Sequence, residues 1–318
     1  MTEEDALRDA IRDVLSRSAD AAWAGLAAVG VPGLAVPEKY GGAGASLAEV
    51  GIAVAEAGRV LLPEPVLSTT LAAAVLAEAG AGGGAAEFLP DLAAGRLKAA
   101  FVFTGDIREA DGRLTGTAEH VLDGVEAGLL LVRAGEEMFA VQAGDFVMTQ
   151  MGVLDQTRSQ GVVRFDRATA ARTGVSAARA EDLLRVLLAV ESAAAAAYCL
   201  EATVTYLKTR VQFGRPLAGF QALRHRCADL AVEVASAAAT AQAAIERPYE
   251  LAALAKLYCA DVFWHVAAEM VQLHGGIGIT WEHQAHRYLK RAKTTQLLLG
   301  SPSELRAVIA ARAGLLAA

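Results

Sequence analysis

With 318 residues, 54% of them hydrophobic and 20% charged, the chain is long enough for two or three domains with a large core and too apolar for a disordered protein. A net charge of −7 argues against nucleic acid as a partner, because neutralising phosphates takes a basic face. The acidic start Met1-Thr-Glu-Glu-Asp5 does not read as a secretory leader, and the apolar stretch Leu183 to Leu200 is interrupted by Arg185 and Glu191, so no membrane span is expected; the odd, unpaired cysteines point to a reducing cytoplasm.

The first third reads as helices. Leu7, Ile11, Val14 and Leu15 fall on one face of an amphipathic helix, and Ala21 to Ala28 extends the pattern to a break at Gly30-Val-Pro-Gly33. Pro37-Glu-Lys-Tyr-Gly-Gly-Ala-Gly44 is a loop by its Pro and Gly content. Ser46-Leu-Ala-Glu49 has capping-box spacing and starts a helix that reaches about Arg59. Ser68 to Glu78 is a further helix, closed by the glycine-rich run Gly80 to Gly84, and Glu87 to Ala94 forms a short helical turn.

From about Lys98 the period shifts from 3.6 toward 2. Segments 99–104, 113–117, 128–133, 137–142, 146–149 and 161–165 read as short strands of a small barrel or sandwich. Asp166 to Ala178 reads as a polar connector. Helical pattern then returns over Glu181 to Thr209, Phe220 to Arg247, Pro248 to His274, Trp281 to Lys293 and Ser303 to Leu316, with Pro248 placed as a first helical residue. Cys199, Cys227 and Cys259 give an odd count without a pairing spacing and read as small buried hydrophobes. His283-x-x-His286 lacks the acid and the third ligand of a metal site, so no metal is expected.

Two breaks between the late helices carry most of the functional signal. One is Arg210-Val-Gln-Phe-Gly-Arg-Pro216. The other is Gln272-Leu-His-Gly-Gly-Ile-Gly278, where glycines at 275, 276 and 278 let a backbone approach a ligand or a neighbouring helix. A simpler reading stands beside this one: Arg210 caps a helix C-terminus and the glycines only turn the chain.

In combination these motifs resemble the acyl-CoA dehydrogenase family. Tyr206, Arg210, Phe213-Gly214 and Phe220-Gln221 are similar to one family signature. Gln272 to Gly278, followed by Arg287, Arg291 and Lys293, is similar to another. Pro37 to Gly42 is similar to the family's early loop, and Leu154-Asp-Gln-Thr-Arg158 to a form found in bacterial members. The resemblance implies a mostly α, α+β fold: an N-terminal helical domain over 1–96, a small, shortened middle β-barrel over 97–175, and a C-terminal four-helix bundle over 176–318. It also implies FAD as cofactor and α,β-dehydrogenation of an acyl-CoA thioester. By the same resemblance Arg210, Gln212, Phe213, Gln272, Gly275 and Gly276 would hold the ADP half of an FAD shared with a neighbouring subunit, where a guanidinium, an amide and bare backbone suit a diphosphate.

The other half of the family's equipment is missing. The stretch matching the family's flavin-ring strand is Phe101-Val-Phe-Thr-Gly-Asp-Ile107, which lacks the family's pattern beyond Thr104. The position matching the catalytic Glu is Leu299, which cannot accept a proton. The alternative base position falls near Leu184, leaving Glu191 and Asp182 as the nearest candidates, with Glu181 and Glu304 behind them. The expectation is therefore a subunit of a hetero-oligomeric (α2β2) acyl-CoA dehydrogenase acting on a bulky acyl-CoA such as a steroid side chain, whose partner chain carries the catalytic Glu. A self-sufficient homo-oligomeric enzyme with a relocated base, and a scaffold without FAD, are the alternatives.

Overall fold

The computed structural model describes residues 2–17, 21–80 and 84–315. The Ala81 to Gly83 part of the glycine-rich run and the end of the last expected helix at Leu316 lie outside the described residues. The chain forms two compact units: Met1–Ala57 with Leu62–Leu184, and Gly58–Leu61 with Arg185–Ala318.

In the first unit, helix α1 (Glu3–Arg17) turns Ile11 inward, as its periodicity requires. Arg12 grips the buried carboxylate of Glu56 through two hydrogen bonds of 2.8 and 2.9 Å, and Arg8 approaches the same group at 3.4 Å. Glu56 lies on α3 (Leu47–Arg59), which starts where Ser46 and Glu49 bond each other. Between α2 (Ala22–Ala28) and α3, the Pro37 to Gly44 loop folds so tightly that a Cβ on Gly42 would sit 2.1 Å from the Val36 carbonyl oxygen. Helix α4 (Val66–Ala79) is apolar on every side and correspondingly buried, packing on the short α5 (Leu89–Ala93) and on the sheet that follows.

That sheet is one of two four-stranded sheets among the described residues. Strands β1 (Ala99–Val102), β4 (Leu129–Ala134), β5 (Glu137–Gln142) and β8 (Ala171–Ser176) form the first, in the order β1-β4-β5-β8, with β1 and β4 parallel. Strands β2 (Asp106–Ala110), β3 (Arg113–Leu122), β7 (Gln160–Thr169) and β6 (Phe146–Gln150) form the second, in the order β2-β3-β7-β6 and antiparallel throughout. Val102, Leu114, Leu130, Val132, Phe139, Val163 and Phe165 make a shared core. The expected connector Asp166 to Ala178 is instead the end of β7 and the whole of β8, and β2 was not expected at all. Both missed strands lie at sheet edges; β2 has only partly buried positions alternating with exposed ones, and β8 buries one apolar side chain, Val175, besides Thr173, so the apolar signal is weak.

The second unit is helical. Helix α6 (Ala177–Thr209) contributes most of its length, followed by α7 (Gln221–Glu246), α8 (Pro248–His274), α9 (Ala285–Leu297) and α10 (Pro302–Arg312). Helix α8 packs on α7, α9 and α10. Small buried residues, Ala237, Ala241 and Ala244 on one helix and Ala252, Ala255 and Cys259 on the next, allow close approach: the Cys259 thiol reaches the Ala237 carbonyl at 3.3 Å. Pro248 opens α8 as expected, and Pro302 opens α10 behind a Ser301–Glu304 capping box. Helix α9 begins at Ala285 rather than Trp281, and Cys227 is only half-buried, unlike Cys199 and Cys259. Among the described residues, two stretches, Ala177–Thr209 and Pro248–Ile279, are long and apolar enough to cross a membrane, but 78% and 56% of their most apolar windows are buried inside the protein itself.

Candidate functional site

The break after α6 is a β-hairpin. Val211–Gln212 (β9) pairs with Arg215–Pro216 (β10), and Phe213 and Gly214 form the two-residue turn at φ 53° and 75°. Positive φ at both positions is the turn geometry whose twist matches a tight hairpin, and Gly214 adopts it without a Cβ penalty. Phe213 is 88% exposed at the tip, edge-on to Phe220, over which Arg215 stacks at 3.9 Å. Arg210 and Gln212 are exposed. Among the described residues the Arg210 guanidinium makes no hydrogen bond or ion pair, so the capping reading of that side chain has no contact behind it.

The break after α8 lies alongside the end of α6. The Tyr206 hydroxyl donates to the His274 carbonyl at 3.3 Å, filling one of the carbonyls that a helix end leaves open, and the two rings stack at 4.3 Å. Arg210 is one helical turn beyond Tyr206, and Gly275 directly follows His274. Gly275 leaves the helix at φ 64°, and Gly276 is exposed with open space where a Cβ would go. Gly278 differs: a Cβ there would meet the Val271 carbonyl oxygen at 2.7 Å, so this glycine lets the turn fold back on α8. Gln272 is exposed beside them. A free guanidinium, a free amide, open glycine backbone and an exposed ring suit the diphosphate and adenosine of a dinucleotide in chemistry.

The Leu299 turn is built the opposite way. Leu299 is held at φ 54°, and its carbonyl accepts from Arg185 Nε at 3.3 Å and Nη2 at 3.2 Å. The buried ammonium of Lys256 donates to the carbonyls of Gln296 at 2.9 Å and Gly300 at 3.0 Å. Burial, with Arg185 beside it, pulls the Lys256 pKa down to about 8. Every named polar contact of this turn is directed into the fold, and its side chain carries no acid.

The candidate bases are structural in their surroundings. Glu191 is buried and paired at 3.2 Å with Arg291, itself 1% exposed. The backbone of Gly58 closes over it, since a Cβ on Gly58 would come within 2.6 Å of Glu191 Cγ. A buried carboxylate matched to a buried guanidinium is paired within the fold, which suits a structural role. Asp182 is buried and engaged within the fold. Glu181 pairs with Arg133 at 3.4 Å, and Glu304 belongs to the α10 capping box.

In the sheets, Thr104 donates its hydroxyl to the Glu119 carbonyl at 3.2 Å, and Phe101 and Phe103 stack face to face at 5.4 Å. The Leu154 to Arg158 stretch buries Asp155, which accepts from the Thr157 amide, and it borders a cavity of about 460 Å³ with Gln150 and Met151. Sequence reasoning passed over Lys256 and the histidines of the glycine turn. Lys256 offered no motif, and His283 was weighed only as a metal ligand.

A family model described as acyl-CoA dehydrogenase, N-terminal domain, matches residues 2–96, and one described as acyl-CoA dehydrogenase, C-terminal domain, matches residues 174–314. The chain is similar to the acyl-CoA dehydrogenase IpdE2 of Mycolicibacterium smegmatis, with 38% identity over 277 residues, covering 87% of this chain and 82% of that protein. Its fold is similar to that of the Tcur3481-Tcur3483 steroid ACAD, with a TM-score of 0.90 and 26% identity over 98% of each chain. It is also similar to a chain of the ChsE4-ChsE5 complex from Mycobacterium tuberculosis, with a TM-score of 0.88 and 25% identity over 100% of this chain and 99% of that one.

Proposed function

Since the chain belongs to the acyl-CoA dehydrogenase family, whose reaction oxidises a CH–CH bond, we propose that it is the non-catalytic subunit of a hetero-oligomeric, FAD-dependent enzyme. The observation that carries this reading is the Leu299 turn, whose backbone is tied inward by Arg185 and Lys256 and which, by the family resemblance, would hold a leucine where the acid stands. Arg210, Gln272 and the open backbone at Gly276 would hold the ADP half of FAD for a partner chain, with Phe213 against it. A bound flavin supplies a hydride acceptor. This chain's part is then to bind and orient, by charge neutralisation of the diphosphate, and removal of the substrate's α-proton falls to a carboxylate of the partner. Two of the similar structures each carry the names of two different chains, and one is called a steroid ACAD, which supports a partner subunit and a bulky or steroid side-chain acyl-CoA as substrate. A cytoplasmic location belongs to the same reading.

Co-purification tests it. The chain expressed alone should carry little flavin, and co-expression with a dehydrogenase chain encoded beside it should yield a yellow, active complex. Arg210→Ala in that complex should lose FAD. Stoichiometric flavin together with dehydrogenase activity in the isolated chain would overturn the proposal.

A further inference from the structure

Three histidines surround the glycine turn, and their hydrogen bonds define their protonation. His274 Nδ1 lies 2.7 Å from the Met270 carbonyl, so that nitrogen carries the proton. His283 Nδ1 faces the Ala285 amide at 3.1 Å, so it accepts and must be unprotonated. The His283 ring also lies against the His274 ring at 4.3 Å, and His274 in turn stacks on Tyr206. His283 is thus the link between the end of α8 and the start of α9, across the turn Gly275–Ile279. A neutral ring can make both contacts. A protonated one turns its acceptor nitrogen into a donor facing an N–H and brings a positive charge against His274.

The charges around this column are cationic. His283 acts on His274, while Lys290, Arg287 and His283 act on His286, whose ring sits edge-on to Trp281. Tyr206 caps the far side of the stack, and Glu282, the neighbouring acid in the chain, is exposed. Burial first holds all three imidazoles below their ordinary value, against the pull of the Met270 carbonyl on His274 and with Lys290 and Arg287 adding to it at His286.

We propose that His283 is a positioning residue for the glycine turn, and that it holds Gly275–Ile279 in the shape that receives the ADP half of FAD only while its ring is neutral. The cofactor part of this inference rests on the proposed function; the part concerning the turn does not. Acidification would therefore loosen the half-site that this chain lends to its partner.

Two measurements separate the parts. Hydrogen-exchange protection at Gly275 to Ile279 is followed in the full chain from about pH 7.5 to about pH 5.5, and protection should fall about tenfold. His283→Phe keeps a ring in the stack but cannot titrate, so it should flatten the fall to less than about threefold, while His283→Ala should lower protection at both pH values. The Kd for FAD of the co-expressed complex should follow the same pattern in wild type and variants. Protection that is independent of pH in the wild type, or that falls equally in His283→Phe, overturns the inference. A turn that responds as expected in a complex that binds no FAD at either pH upholds the positioning role and overturns the proposed function.

Discussion

The glycine turn after α8 and the leucine turn after α9 are built on opposite rules. At the first, Arg210 and Gln272 are exposed with no side-chain hydrogen bond or ion pair among the described residues, Phe213 is exposed beside Phe220, and Gly276 has open space where a Cβ would go. At the second, the carbonyls of Gln296, Leu299 and Gly300 are each claimed by a buried or half-buried cation. A fold that satisfies its own groups at one turn and leaves them open at another separates structure from binding, because an unused polar group persists without cost only where water or a ligand can reach it.

The contrast can be broken by substitution, and the largest effect should come from the inward side. Arg291→Ala would leave the Glu191 carboxylate buried without its guanidinium, and denaturant unfolding should show a loss of about 3–5 kcal/mol, with much of it recovered in the double variant Arg291→Met, Glu191→Gln. Full dehydrogenase activity in the Glu191→Gln complex would agree with a structural carboxylate, and loss of activity without loss of stability would point to a base after all.

Lys256 gives the next largest effect, and it depends on pH. Its proton is released near pH 8 in the folded protein, whereas the unfolded chain holds it to about pH 10.4. Between those values the unfolded state binds more protons, so stability rises with pH, by at most about 3 kcal/mol. The neutral amine still donates to both carbonyls. The slope should appear as a difference between wild type and Lys256→Met in thermal unfolding over this range.

Two glycines sharpen the comparison within one turn. Gly278→Ala forces a methyl onto the Val271 carbonyl and should cost about 2 kcal/mol. Gly276→Ala meets open space and should shift stability by less than about 0.5 kcal/mol, yet weaken FAD retention in the complex. The smallest stability effect belongs to Arg210→Ala, again below about 0.5 kcal/mol, with its consequence confined to the flavin content of the complex. An Arg210→Ala chain that unfolds early would show that the guanidinium serves the fold.

Much of the architecture was legible before any coordinates. The helices of the bundle announce themselves by length and alanine content, and the capping box at Ser46 and Pro248 at a helix start are local chemistry that acts within one turn. The inner strands show as apolar runs because both faces of β4 and β5 are buried. Edge strands β2 and β8 were not legible: β2 buries no side chain fully, and β8 buries only Thr173 and Val175, so hydrogen bonds to β3 and β5 do much of the ordering. At the site, the sequence named candidate cofactor residues and a leucine at position 299, but it could not tell a capping arginine from a free one.

What the sequence determined by itself is therefore the inventory: the family signatures, the helical and strand periods, and leucine at position 299. Tertiary structure alone decided which of those groups are used up. It paired Glu191 with an arginine 100 positions away, drew Lys256 under the Leu299 turn, and set His283 between His274 and Ala285. Each of these outcomes depends on distance in space between residues remote in the chain or across a turn, and the energy of a buried charge or hydrogen bond is fixed by that distance and by the exclusion of water around it.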